Sequence, residues 1–350
     1  MARRCTSSRN PDLEAHVTAR RPMVYEEGPC DLEDRPAHVR AASGLSAFNE
    51  YIAVIQDDAN WLALIDVNER ITAVPLPPGP SGARLFSKSR GNKKDKFDLE
   101  ACISIPGTGG HELVGFSSGS RKGREWILRV RGASPSTGSS SRAKRPAEQI
   151  ASAFEAEFLE ALPFYEAMRS NVEFSGAGLN IEGAVTLDDD RILLFQRGNA
   201  KPHDGLEPVD ATAELSWAAL CAHLAAPHEV QPPALARITT YELGRLDGVR
   251  LTFSDAENLG HGRILFSASA EEESTGRIAG SILGVIEADG SAHWTELVDE
   301  EGRAFRGKIE GLSRDIRDPR KVHFVIDDDD ETVPSEIFEA VLSAGFFGKC

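Results

Sequence analysis

The sequence lacks the residue patterns that hold disulfide-rich or zinc-bound folds together. Its five cysteines are odd in number, and they form neither a Cys-x-x-Cys pair nor a Cys/His spacing typical of zinc. A disulfide framework or a zinc site is therefore not expected. Positive charge is scarce too, since 39 lysines and arginines against 55 acidic residues leave a net charge of −16. That balance disfavours a nucleic-acid partner, which needs a broad basic face.

Long apolar runs are also missing. No uninterrupted apolar stretch approaches the roughly 20 residues that span a bilayer, and Arg3 and Arg4 are not followed by the apolar segment of a secretory signal. We therefore expect a soluble, cytoplasmic protein without a membrane partner, and we expect it to be a monomer.

One recurring unit is present instead. A small or acidic residue leads into a short strand, a tight turn follows, and a second, apolar strand ends in polar residues. The clearest copy starts at Asn180-Ile181-Glu182-Gly183-Ala184 and continues to Ile192–Phe195. Four further copies start near Ser43, Glu100, Asp255 and Glu310. Recurrence at a long period is typical of radial or stacked architectures.

Each unit offers four short strands, except the last. The third unit contains Leu215–His223 as its third strand, and the fifth unit ends after Glu336–Leu342, one strand short. Residues 36–42 alternate weakly between apolar and polar and precede the first unit. The sequence thus predicts an all-β, five-bladed β-propeller in which this N-terminal strand closes the last blade. Several unrelated hairpins in a sandwich are the alternative.

The remaining segments define the domain boundaries. Residues 1–30 are polar and aperiodic, which predicts a leader, and residues 31–350 are predicted to form a single propeller domain. A short helical insert is expected near residues 156–170. The Gly/Ser-rich residues 132–145 are expected to form a loop.

Propeller geometry brings the start of each unit to one place. The first strand of a blade lines the central channel, so its opening residue lies at the channel mouth. This predicts that Glu100, Glu182, Asp255 and Glu310 meet there, with Ser43 in the fifth position. Asp255 is preferred over Glu257 because its distance to the following strand matches the spacing in the first unit, and strand register decides which face a side chain occupies.

Four carboxylates in a narrow mouth repel one another. They must bind a cation, pair with arginine or lysine, or hold protons. Oxygen ligands alone suit Ca²⁺ or Mg²⁺. The top-face loops also supply basic groups that could neutralise the acids or hold an anionic small molecule: Lys93, Lys94, Lys96, Arg121 and Arg197. The alternative is that each acid caps backbone N–H groups and fixes the packing of the blades.

The motifs Ser43-Gly44-Leu45, Asp98-Leu99-Glu100-Ala101, Asn180-Ile181-Glu182-Gly183-Ala184 and Ile309-Glu310-Gly311-Leu312 carry a family likeness. They resemble an uncharacterised bacterial β-propeller family that is similar in style to the phytase-type esterase-like propellers. The resemblance implies a propeller with an acidic centre on its top face. Similar propellers include calcium-dependent lactonases and phosphoesterases.

Together these features lead to two functional hypotheses. The first is a hydrolase of esters, lactones or phosphoesters. In it, Ca²⁺ or Mg²⁺ is held by Glu100, Glu182, Asp255 and Glu310, with Glu182, Arg121 and Arg197 as the catalytic residues. The second is a non-catalytic propeller that binds a ligand or a protein and whose acids are structural.

Overall fold

The chain folds mainly into antiparallel β-sheets, which confirms the all-β prediction. A computed structural model describes residues 2–107, 110–132, 146–188, 190–272, 275–326 and 330–348. The expected Gly/Ser-rich loop lies outside these residues apart from Gly132. Among the residues described, no helix has both the length and the apolar content needed to cross a membrane.

The N-terminal residues, expected to be a leader, contain three strands instead. They are β1 (Arg3–Thr6), β2 (Ser8–Arg9) and β3 (Ala15–Pro22). In β3 the side chains of Ala15 and Val17 are buried, while most of the others are exposed. A strand with one apolar face needs a partner sheet to cover that face.

The first two units are four-stranded antiparallel meanders. The first consists of β4 (Ala42–Phe48), β5 (Tyr51–Gln56), β6 (Trp61–Ile65) and β7 (Ile71–Pro75). The second consists of β8 (Leu99–Gly107), β9 (Gly110–Ser117), β10 (Trp126–Gly132) and β11 (Phe154–Glu160), with α1 (Ala147–Ala151) before its last strand.

The helical insert begins later than the sequence predicted. Residues 154–160 belong to β11, and the insert comprises α2 (Leu162–Ser170) and α3 (Val172–Ser175). Pro163 lies in the first turn of α2, where proline costs no hydrogen bond. The helix buries Phe164, Tyr165 and Met168 on one face.

The third unit corrects the prediction for residues 215–223. It contains β12 (Ile181–Thr186), β13 (Arg191–Gln196), β14 (Asp210–Ser216), α4 (Trp217–Ala225) and β15 (Ala236–Glu242). The Ser216 hydroxyl accepts a hydrogen bond from the Ala219 backbone N–H at 3.1 Å and so caps the helix N-terminus. The predicted third strand is therefore mostly helix, and the true strand lies just before it.

The last two units complete the pattern. The fourth contains β16 (Arg245–Leu246), β17 (Val249–Gly260), β18 (Arg263–Glu272), β19 (Arg277–Ile286) and β20 (Ala292–Val298). The fifth contains β21 (Ile309–Arg314), β22 (Lys321–Ile326) and β23 (Glu336–Leu342). Each runs antiparallel to its neighbour in the unit.

The first long strands of the five units, β4, β8, β12, β17 and β21, lie beside one another in cyclic order. Each contacts the next, and β21 contacts β4. They therefore surround a common axis. We call them the inner strands.

The N-terminal strands join the outer edges of three units. β1 pairs in parallel with β15, β2 with β20, and β3 runs antiparallel to β23 while also touching β20. We call residues 3–22 the N-terminal strap. The fourth strand of the last unit is thus β3, and the prediction that residues 36–42 supply it was wrong. Ala42 opens β4. Residues 36–41, all of which the structure describes, belong to no strand, and His38 makes an isolated bridge with Val24.

Candidate functional site

The inner strands share one irregularity at the same end. In each of them the pairing with the next strand skips one residue, which forms a β-bulge. The skipped residues are Ser43, Glu100, Glu182, Ser254 and Glu310. Three carboxyl groups and two hydroxyl groups therefore occupy equivalent positions around the axis.

The register of the fourth unit differs from the prediction by one residue. Ser254 occupies the bulge, so neither Asp255 nor Glu257 does. A second bulge lies between Asn258 and Gly260 and adds one residue between the turn and the channel mouth. A count back from the turn that omits this extra residue therefore reaches Asp255 instead of Ser254.

Asp255 is already fully engaged with the backbone. Its Oδ1 accepts the Ala256 N–H at 2.8 Å, and its Oδ2 accepts the Leu312 N–H at 2.7 Å. These contacts tie β17 to β21, and burial raises the pKa of Asp255 well above its usual value. Glu257 likewise accepts the backbone N–H groups of Asn258 and Arg314. These backbone partners are those expected if both acids are structural and fix the packing of the blades.

Two of the bulge glutamates belong to a chain of ion pairs. Arg197 Nη1 lies 3.2 Å from Glu182 Oε1, and Arg197 Nη2 lies 2.8 Å from Glu271 Oε2. Lys308 Nζ joins Glu271 at 3.3 Å to Glu310 at 2.7 Å. Each glutamate in this chain therefore faces at least one cation.

Glu182 is the most enclosed of these acids. It is 5% exposed, and the Asn180 side-chain amide donates to its Oε1 at 2.6 Å. Burial raises the pKa of Glu182, Arg197 opposes that rise, and Glu310 adds to it. By contrast, Arg121 is exposed on a turn, and its side chain makes no ion pair with any described residue. The structure therefore brings Glu182 and Arg197 together but leaves Arg121 apart.

A second cluster surrounds Lys96. Its ammonium group contacts both carboxylate oxygens of Asp57 and lies 2.7 Å from Asp98 Oδ1. Arg124 Nη1 lies 2.6 Å from Asp98 Oδ2. Burial alone would raise the pKa of Asp98, but Lys96, a hydrogen bond from Asp57 and Arg124 outweigh burial and lower it. Asp57, Asp98 and Glu100 each offer an oxygen within 4.8 Å of the others.

Glu100 differs from the other bulge glutamates because it makes no direct ion pair with a described residue. No described residue gives its carboxyl group a hydrogen bond or a salt bridge within 4 Å. Burial raises the pKa of Glu100 well above its usual value, and the charges of Asp57, Asp98 and Glu182 raise it further, with Lys96 opposing. This carboxyl group therefore retains a proton more readily than an ordinary glutamate.

A polar cavity of about 530 Å³ opens beside this cluster. Asp57 lines it, so the cavity connects to the Lys96 cluster. Beneath it the buried Arg40 lies 2.7 Å from Asp58. The other lining residues are Ala41, Asp58, Ser87, Lys88, Lys93, Asp330 and Glu331. Asp327, Asp328 and Asp329, which precede Asp330 in the sequence, lie outside the described residues.

Sequence reasoning gave Asp98 and Lys308 no role in the site, although a signal was present. Each lies two residues before a bulge glutamate, as Asn180 does before Glu182. Side chains two positions apart on a strand share a face. The pattern polar–apolar–Glu at the start of an inner strand therefore identifies both residues of each pair.

Solved structures similar to this chain are distant from it in sequence. Virginiamycin B lyase from Staphylococcus aureus is 9% identical, over 94% of this chain and 99% of that chain, with a TM-score of 0.38. A protein proposed to be a gluconolactonase is 10% identical, over 96% and 95%, with a TM-score of 0.38. The β-propeller domain of Cps50 (Swd1) from Myceliophteria thermophila is 10% identical, over 83% and 67%, with a TM-score of 0.32.

Matches with TM-scores this low carry no argument about this chain. Its own strand pairings make the fold all-β, with the inner strands in cyclic contact. No curated protein matches the chain significantly. A model of a family of unknown function, DUF6929, matches residues 38–342, and the chain therefore belongs to that family.

Proposed function

We propose that the protein is a hydrolase that acts at the channel mouth, with Glu100 as its acid–base residue. The observation that carries the proposal is that Glu100 is the bulge glutamate to which no described residue gives a hydrogen bond or a salt bridge within 4 Å. Carboxyl groups whose pKa is raised by burial and by neighbouring acids are frequent at functional sites.

The architecture behind this proposal is a five-bladed ring. The cyclic contacts of the inner strands support five blades, as does the bulge that recurs in all five units. In this ring β3 closes the last blade, and the bulge residues surround the mouth.

The chemistry follows from the state of Glu100. Its carboxylate takes a proton from a water molecule as the water oxygen attacks the carbonyl carbon of an ester or lactone. The C–O bond to the leaving group then breaks, and the protonated carboxyl returns the proton to the departing oxygen. Because the pKa of Glu100 is raised above the usual glutamate value, this one group can act as the base in the first step and as the acid in the second.

Charge narrows the substrate class. Six carboxyl groups, from Asp57, Asp98, Glu100, Glu182, Glu271 and Glu310, face four basic groups, from Lys96, Arg124, Arg197 and Lys308. Burial raises the pKa of Asp57 and of Glu100, but even with both protonated the four remaining carboxylates balance the four basic groups, so the mouth carries no excess of positive charge. A neutral ester or lactone suits this mouth better than a phosphoester or another anion, because like charges repel. Arg197 then holds Glu182 and Glu271 rather than the substrate.

The Ca²⁺ or Mg²⁺ requirement expected from the sequence fits this site poorly. Asp57, Asp98 and Glu100 provide the oxygen ligands that these ions prefer. However, the ammonium group of Lys96 contacts both Asp57 and Asp98 and already places one positive charge among these oxygens. The other predicted ligands are engaged by Arg197, Lys308 or backbone N–H groups. The proposed mechanism therefore uses no metal ion.

A non-catalytic propeller that binds a ligand is the second candidate. The continuous chain of ion pairs from Glu182 to Glu310 favours it. A structural role, in which the network fixes the blades relative to one another, is sufficient to explain these pairs. In that case the cavity beside Asp57 would hold a polar ligand that is not converted.

A hydrolysis panel with a matched pair of variants tests the proposal. Wild type should hydrolyse at least one neutral ester or lactone, and E100Q should lose about 10²–10⁴-fold in rate. The control is E166Q, which makes the same change at an exposed position on α2. Equal rates for wild type and E100Q on every hydrolysed substrate would contradict the role of Glu100. Absence of all hydrolysis would favour the ligand-binding candidate.

A further inference from the structure

The side chain of Lys96 lies among three carboxyl groups, whether or not the protein is a hydrolase. Lys96 follows the long loop between the first two units, and its side chain is 6% exposed. Its ammonium group contacts both Asp57 and Asp98. Glu100 completes the cluster, with an oxygen within 4.8 Å of an oxygen of each aspartate.

We infer that the ammonium group of Lys96 is the resident cation of the Asp57–Asp98–Glu100 cluster, and that it excludes Ca²⁺ and Mg²⁺ from a site whose ligands would otherwise hold them. A hard divalent cation needs several carboxylate oxygens at short distance. An ion that bound Asp57 and Asp98 together would lie beside Lys96 Nζ. Repulsion between the two cations prevents both from occupying the cluster.

The charge of Lys96 is maintained by the same neighbours. Burial by itself lowers the pKa of a lysine, but the charges of Asp57, Asp98 and Glu100 outweigh burial and hold the pKa of Lys96 above its usual value. Lys96 therefore keeps its positive charge at neutral pH.

The ligands would remain in place without the lysine. Arg124 engages only Oδ2 of Asp98, and Asp98 Oδ1 accepts no hydrogen bond of good geometry even though the residue is 1% exposed. Glu100 makes no hydrogen bond or ion pair within 4 Å with any residue that the structure describes, and its charge interacts with that of Lys96. Removal of Lys96 leaves one free oxygen from each of three converging carboxylates, which is the core of a cation site.

The experiment compares wild type with K96M, which keeps an unbranched chain of similar length but removes the charge. Both proteins are purified, their metal content is measured, and they are melted in EDTA, CaCl₂ or MgCl₂. Wild type should contain no stoichiometric metal and melt alike in all three. K96M should melt lower in EDTA, recover with Ca²⁺, and bind Ca²⁺ at least about tenfold more tightly than wild type by calorimetry.

Two further variants make the test specific. K93M removes a lysine that lines the neighbouring cavity without contacting Asp98, and it should behave as wild type. Adding E100Q to K96M should weaken the new Ca²⁺ response, because a charged carboxylate ligand is replaced by a neutral amide.

Stoichiometric Ca²⁺ or Mg²⁺ in wild type, with a fall in melting temperature on chelation, would overturn the inference. A folded K96M that binds Ca²⁺ no better than wild type would do the same, as would an equal response in K96M/E100Q. If K96M folds only when Ca²⁺ is present, the inference is supported. If it folds under no condition, the metal content and melting of wild type decide alone.

Discussion

E100Q is expected to be more stable than wild type at neutral pH. Glutamine has nearly the same shape as a protonated glutamate, and the folded protein favours the protonated form of Glu100 because burial and nearby acids raise its pKa. Below the unfolded pKa of about 4.3, both states are protonated and the two proteins should match. Above it the unfolded chain ionises first, so wild type loses stability as pH rises towards the folded pKa.

The expected gain is about 0.5–2 kcal/mol in the free energy of unfolding, which is common when a functional residue is relieved of strain. Urea denaturation at pH 5 and pH 8 measures it, and the gain should be larger at pH 8. E310Q is the matched control, because Glu310 occupies the same bulge position but pairs with Lys308 at 2.7 Å. It should lose stability or stay unchanged. A less stable E100Q at both pH values would show that the carboxylate is a structural partner.

Removal of residues 2–22 is expected to leave most of the protein unfolded or aggregated. The strap joins the outer edges of the third, fourth and fifth units, and it buries Leu13, Ala15 and Val17. Full burial of Leu13 and Val17 alone contributes about 3–6 kcal/mol. That is a large part of the roughly 5–15 kcal/mol that stabilises a typical domain. The deletion would also expose the edges of β15, β20 and β23 to other chains.

A point variant tests the buried contacts of β3 without shortening the chain. V17D places a charge at a buried position of β3, whereas H16D makes a similar change at the adjacent, exposed position. V17D should lower the midpoint of urea unfolding strongly and H16D only slightly. Deletion protein that stays soluble and melts like wild type would show that β3 does not close the last unit.

The inner parts of the fold could be predicted because their signals are local. The strands from Ile181 to Phe195 and from Arg263 to Val298 are short apolar runs separated by tight turns, and the structure places strands there. The strap gave no such signal. β3 is an outer strand with one buried face, and it pairs with residues more than 300 positions away, so no local pattern identifies it.

Short apolar runs were ambiguous where periodicity was the sole guide. Trp217–Ala225 is apolar except for His223, which fits a buried strand or a buried helix, and the serine cap at Ser216 favours the helix. The predicted register of the fourth unit was wrong because a second bulge near Leu259, which the sequence did not reveal, shifts the pairing of β17 by one residue. Bulges depend on pairing across strands, and a count along one chain does not reveal them.

For the site, the sequence identified three glutamates that share a bulge position, but it did not distinguish them. Their difference lies in partners brought from other units, such as Arg197 beside Glu182 and Lys308 beside Glu310. Lys96 was named among several basic residues of the loops. Only the three-dimensional placement separates it from Lys93 and Arg121, which lie away from the carboxyl groups of Asp98 and Glu100.

Titration of the Glu100 carboxyl group is the most direct measurement of its state. Protein labelled with ¹³C at the glutamate side-chain carboxyl carbon is followed by NMR from pH 3 to pH 9, and the signal absent from E100Q is that of Glu100. We expect its midpoint well above the ordinary value of about 4.3. A midpoint at or below that value would mean that Glu100 is ionised and compensated, which would contradict its assignment as the acid–base residue of the channel mouth.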